Sequence, residues 1–121
     1  MTTLTRSDGI PKLTVLTKRA DFLRAARARR QGSTAMMVQA RQRDDAFGVR
    51  VGFTCSKKVG NAVARNRAKR RLREIARLVL PTHGLAGWDY VLIGRADVTA
   101  SRGFEQLQTD LIEALRRLHK R

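Results

Sequence analysis

The stretch Phe47-Gly48-Val49-Arg50-Val51-Gly52-Phe53-Thr54-Cys55-Ser56 runs directly into Lys57-Lys58-Val59-Gly60-Asn61-Ala62-Val63-Ala64-Arg65-Asn66-Arg67-Ala68-Lys69-Arg70-Arg71-Leu72-Arg73. In the first part Phe47, Val49, Val51, Phe53 and Cys55 alternate with polar or small residues, the pattern of a strand with one packed face. Gly48 and Gly52 leave its other face shallow, which suits something lying across it or a bulge. Beyond Gly60 the period becomes helical. Asn61 is a good N-cap, and the spacing predicts a helix from there to about Leu80, closed by Pro81. At about 100° per residue, Ala64, Ala68, Leu72, Ile75 and Val79 share one arc of roughly 80°. Asn66, Lys69, Arg70, Arg73 and Arg77 lie nearly opposite, with Arg65 and Arg67 on the flanks. The helix therefore has a dry face and a cationic one.

Towards the N-terminus, residues 1–12 mix Thr, Ser, Gly and Pro11 without period and read as a loose arm, leaving residues 13–121 as the domain. Thr17 to Arg30 reads as a helix, N-capped by Thr17 and stopped by Gln31-Gly32, with Phe22 and Ala26 four apart. Thr34 to Arg41 reads as a strand with Met36, Val38 and Ala40 on one face, and Arg43-Asp44-Asp45 as a turn. Towards the C-terminus, His83 to Gly87 reads as a loop. Asp89 to Gly94 has the doubly apolar run of a strand buried on both sides. A last helix from about Ser101 carries the stripe Phe104, Leu107, Leu111, Leu115 and Leu118. The expected class is α+β, with helices on a sheet of three or four strands.

Composition sets the partner. The chain of 121 residues has room for one core and carries 26 Lys plus Arg against 10 Asp plus Glu, a formal charge of +16. Between Lys57 and Arg77 stand nine cations and one acid, Glu74, about half of that excess. Like charges at helical spacings of three and four disfavour the helix unless a polyanion neutralises them. Nucleic acid fits, since phosphates would be neutralised with release of counterions. A membrane surface fits less well, because no segment pairs a long apolar face with a basic one. The N–H groups following Asn61, beside Lys57, Lys58 and Gly60, form a candidate phosphate site. Asn66 can donate and accept, which suits a ribose hydroxyl or a base edge. Phe22, on an Arg-rich helix, either stacks on an unpaired base or packs its helix on the sheet.

Catalysis by the chain's own side chains finds little support. His83 and His119 have no partner pattern and read as solvated. There are no paired carboxylates near the basic cluster and no glycine-rich phosphate loop. Cys55 alternates with core positions, as a structural thiol does. As the single cysteine it excludes an internal disulfide and a cysteine-based zinc site. No metal-binding set stands out. No apolar run approaches the ~20 residues of a membrane span, and the N-terminus lacks a signal-peptide core, so the cytoplasm is the expected compartment.

Residues Gly52 to Arg70, with Lys57-Lys58-Val59-Gly60-Asn61-Ala62-Val63 leading into Arg65-Asn66-Arg67, closely resemble the signature of the bacterial ribonuclease P protein subunit family. The resemblance extends more loosely over Lys12 to Leu118, through Asp21-Phe22, Tyr90-Val91-Leu92-Ile93 and the closing helix. It implies a single-domain α-β-β-β-α-β-α sandwich with a small mixed sheet and a left-handed βαβ crossover, against the usual hand. It also implies a ribonucleoprotein endoribonuclease in which an RNA subunit with bound Mg²⁺ removes the 5′ leader of precursor tRNA. The protein itself would supply no catalytic side chain and need no obligate protein partner. Arg65, Asn66, Arg67, Lys69, Arg70 and Arg73 would contact the catalytic RNA. Phe22, Thr54 and Lys58, with Lys57 and Gly60 beside them, would meet the single-stranded leader or its phosphates. Ala26 stands where many members carry a second aromatic, which shifts leader affinity towards electrostatics. The alternatives are a small ribosomal-type structural RNA binder, a protein-only nuclease and a DNA-compacting protein.

Overall fold

The computed structural model describes residues 13–120; the arm expected over residues 1–12 lies outside them. The elements are β1 (Leu13–Val15), α1 (Arg19–Ala26), β2 (Arg29–Gly32), β3 (Met36–Gln42), β4 (Val49–Cys55), a 3-10 turn (Lys57–Val59), α2 (Ala62–His83), β5 (Trp88–Gly94), α3 (Val98–Ser101) and α4 (Phe104–Lys120). The five strands form one mixed sheet in the order β1-β4-β5-β3-β2. β1, β4 and β5 are parallel, while β5 pairs antiparallel with β3, and β3 with β2. The class is α+β, as expected, with a short edge strand ahead of the first helix and the single turn of α3 added.

The sheet divides the interior in two. On one face α2 and α4 bury Leu72, Ile75, Ala76, Val79, Leu107, Leu111, Leu115 and Leu118 against Met36, Val38, Ala40, Val49, Val51, Tyr90 and Leu92. These are the alternate positions picked out by period on β3 and β4 and by the helical stripes. Each fully buried Leu or Ile contributes about 1.5–3 kcal/mol. On the other face the shorter α1 covers only part of the sheet, packing Ala25 and Phe22 on Leu16, Val91 and Ile93. β5, between β4 and β3, is covered on both sides as its sequence requires.

Several boundaries differ from the sequence reading. The helix expected over residues 17–30 spans only Arg19–Ala26, with Lys18 rather than Thr17 at its N-cap, and Arg29–Gly32 is a strand on the edge of β3. Residues 27–30 offer only the small Ala28 as an apolar side chain among three arginines, so that segment gains more from the open ladder of β3 than from another helical turn. Pro81 does not close α2, which continues to His83 until the Gly84 N–H bonds the Leu80 carbonyl. Proline there removes one hydrogen bond, to the carbonyl of the exposed Arg77. β4 begins at Val49, leaving Phe47 in the preceding loop with its side chain 82% exposed, not in the core. Phe104 is also partly exposed.

Candidate nucleic-acid interface

The base of α2 is built as its sequence dictates. Ser56 Oγ accepts from the Lys58 N–H at 3.2 Å, shaping the 3-10 turn, and Asn61 Oδ1 accepts from the Ala64 N–H at 3.0 Å as the N-cap. Gly60 has φ +135°, a backbone conformation that disfavours side-chain-bearing residues. Arg65 folds back so that its guanidinium donates to the Gly60 carbonyl at 3.1 Å. Thus Lys57, Lys58 and Gly60 are drawn together with Arg65 at the exposed helix start.

Along α2, Ala68, Leu72, Ile75 and Val79 are buried, while Asn66, Arg67, Arg70, Arg73 and Arg77 are exposed and Arg65 and Lys69 half-buried. The faces therefore fall where the helical period puts them. Charge pairing then separates the two halves of the face. Arg77 is neutralised by Glu74, and Arg73 lies over the Phe53 ring at 5.5 Å. Lys57, Lys58, Arg67, Lys69 and Arg70 make no ion pair among the described residues. The first half of the helix is thus an unneutralised cationic surface, while the acids are spent elsewhere, Asp110 on Arg102 and Glu113 on Arg116.

The second surface lies on the opposite face of the sheet. Between α1 and the strands runs a groove of about 470 Å³, lined by Thr17, Arg19, Phe22, Leu23, Ala26, Gln39, Thr54, Val91 and Ile93. Gly52 makes it possible: a Cβ there would stand 2.5 Å from the Phe22 ring. What lies across the shallow face of β4 is thus the chain's own Phe22. The half-buried ring packs α1 on the sheet, as one of the two readings of that residue had it, and also lines the groove. Thr54 lines the groove too, but Lys57, Lys58 and Gly60 do not. They sit on the turn that carries β4 from Thr54 to the N-cap of α2, and so connect the two surfaces. Ala26 lines the groove one helical turn after Phe22.

An ion cluster missed in the sequence holds one end of this face. Asp89, fully buried on β5, receives Arg50 at 2.7 Å, Arg43 at 2.8 Å and Arg41 at 3.4 Å. Arg50 also reaches Asp21 of α1 at 3.4 Å, so the cluster ties α1 to the sheet. Burial opposes ionisation of Asp89, but the hydrogen bonds and charges of Arg50 and Arg43 outweigh it and hold the carboxyl below its usual range. Only the register, Arg50 and Arg41 flanking Asp89, makes this cluster visible.

The remaining candidates for chemistry are structural. Burial raises the Cys55 thiol, away from a nucleophilic thiolate. His119 is not solvated. Its Nε2 lies 2.7 Å from the Tyr90 hydroxyl and its ring meets Trp88 edge-on at 4.6 Å. Among the described residues no group of three or more His, Cys, Asp or Glu stands together to hold a metal ion. None of the described helices is long and apolar enough to cross a membrane.

Comparison with known proteins agrees with this architecture. Residues 10–119 match the model of the family described as Ribonuclease P. The chain is 72% identical to the ribonuclease P protein component of Ruegeria pomeroyi, over 88% of this chain and 87% of that protein. It is 54% identical to that of Caulobacter vibrioides, over 83% and 67%. Among solved structures, the RNase P protein of Staphylococcus aureus aligns with a TM-score of 0.69 at 30% identity, covering 84% of this chain and 92% of that one. The RNase P protein from Thermotoga maritima aligns at 0.66 and 26%, covering 82% and 91%.

Proposed function

This chain belongs to the bacterial ribonuclease P protein family, and on that premise we propose that it is the protein component of a cytoplasmic ribonucleoprotein endoribonuclease that removes the 5′ leader from precursor tRNA. The observation that carries the reading is the unneutralised start of α2, joined through the Lys57–Gly60 turn to an apolar groove with cationic edges. One surface suits folded RNA, the other an unpaired strand.

In this reading Arg65, Asn66, Arg67, Lys69, Arg70 and Arg73 bind the catalytic RNA, mostly through phosphates, with Asn66 free to bond a ribose hydroxyl or base edge. The leader lies in the α1 groove, its bases against Phe22 and the apolar floor, with Thr54 as a polar contact. Lys57, Lys58 and the N–H groups at the start of α2 take phosphates where the strand passes between the two surfaces. The RNA subunit performs the hydrolysis with its own Mg²⁺. The protein's cations lower the repulsion between RNA and substrate, so that less Mg²⁺ is needed.

Cleavage of precursor tRNA at low Mg²⁺, by a bacterial ribonuclease P RNA with and without this protein, tests the proposal. Cleavage that requires the RNA and is restored by the protein is the expected result. Cleavage by the protein alone, or no effect of the protein despite tight RNA binding, would refute it.

A further inference from the structure

The far end of α2 opens on a separate cavity of about 280 Å³, walled by His83, by Leu85 of the following loop and by Ile112, Leu115, Arg116 and His119 of α4. Helix α2 runs for 22 residues, so at about 1.5 Å per residue the cavity stands roughly 30 Å from the cationic helix start. Neither RNA surface uses it.

Its geometry is set by Tyr90. The hydroxyl accepts from the Leu85 N–H at 2.9 Å and meets His119 Nε2 at 2.7 Å, donating to it. The imidazole proton therefore resides on Nδ1. That N–H has no acceptor among the described residues, and His83 has no partner there either. Arg116 spends one guanidinium nitrogen on Glu113, at 3.2 Å, and keeps the others. Beside these donors lie buried Leu115, half-buried Ile112 and Leu85, which is 45% exposed. Cationic side chains suit the last turn of a helix, where they oppose its macrodipole. That accounts for their charge, but not for two helices turning three such groups towards one apolar cavity.

We infer that this cavity binds a small monocarboxylate with an apolar body of about one ring, near the lower size limit of small-molecule sites. The body covers Leu85, Ile112 and Leu115. The carboxylate accepts from Arg116, which Glu113 shares, from His83 and from the His119 Nδ1–H. Inorganic phosphate offers the charge without the body, and a neutral ring alcohol the body without the charge.

Trp88 is the single tryptophan of the chain, and its ring meets that of His119 edge-on, so its fluorescence reports occupancy. The test titrates the full chain, free and bound to ribonuclease P RNA, with cyclohexanecarboxylate, cyclohexylmethanol and inorganic phosphate. The carboxylate is expected to saturate with a Kd of about 1 mM or tighter, at least about five-fold below either other probe. It should bind the free and RNA-bound protein alike, with amide shifts gathered at residues 83–88 and 112–119. Arg116→Gln combined with His83→Asn, both at exposed positions, should reduce the carboxylate to the affinity of the alcohol, whereas Arg116→Lys should keep a preference. Equal binding of carboxylate and alcohol would leave an apolar cavity only. Equal binding of phosphate, or displacement of the carboxylate by RNA, would assign the effect to the general positive charge of the chain. Either result overturns the inference, as does a double variant that keeps the full preference, or the absence of any saturable change in fluorescence and amide shifts.

Discussion

Asp89 illustrates how one buried charge constrains its neighbours. Removing it leaves Arg43 with only Asp45 and Arg50 with only Asp21 as counter-ions, so Asp89→Ala should cost about 3 kcal/mol, read as a fall in the urea midpoint. Tyr90 and His119 behave differently. Burial pushes the Tyr90 hydroxyl up to about 12, so it stays protonated and donates to a neutral His119. Burial, and then the charge of Arg29, lower the His119 pKa. A histidine depressed in the folded state binds fewer protons there than when unfolded. Its contribution to stability is therefore complete above the ordinary histidine value and is lost as pH falls through it, until the folded pKa is reached. The urea midpoint should drop between pH 7.5 and 5 in wild type, and His119→Gln should flatten that drop.

At the level of elements, α1 is held by a small contact set and is correspondingly easy to displace. Gly52→Ala would drive a methyl into the Phe22 ring, costing about 1–3 kcal/mol by overpacking. Hydrogen exchange should rise in α1 while α2 and α4 stay protected. Helix α2 presents the converse case: Arg65 and Arg67 lie on the flanks of the cationic face, clear of the buried stripe, so replacing both by Ala should weaken RNA binding at least ten-fold and leave the circular-dichroism melt within about 1 kcal/mol of wild type. A melted spectrum would contradict the faces assigned to the helix. These faces were legible because residues 47–73 carry their period within the segment, where local spacing decides which side chains are buried. The end of α1 was not, since Arg29 and Arg30 become a strand only because β3 offers an open edge from elsewhere in the chain. The role of Asp89 was hidden for the same reason. It depends on which residues face it across neighbouring strands, and pairing of that range has no local signature.

Among the described residues charge is segregated: most of the acids are held in ion pairs, and the start of α2 and the groove margin keep their positive excess. Binding to RNA should therefore weaken linearly on a log–log plot against salt, with a slope of about −0.7 to −0.9 for each phosphate neutralised. Combining Lys57→Ala with Arg70→Ala should reduce that slope by about 1.4–1.8, measured by titration at several salt concentrations. A slope independent of these two side chains would place the contacts elsewhere.

The position of β5 in the sheet also governs when the protein can be made. This strand joins the parallel half to the antiparallel half, yet it follows β3, β4 and α2 in the chain. Until residues 88–94 have been synthesised, β3 and β4 have no common partner, and contacts as distant as Met36 with Gly94 cannot close. During synthesis the strands that precede β5 therefore keep open edges beside a complete cationic helix start, and the sheet assembles only once β5 has emerged. Chains ending before Trp88 should be insoluble or unfolded rather than smaller versions of the domain.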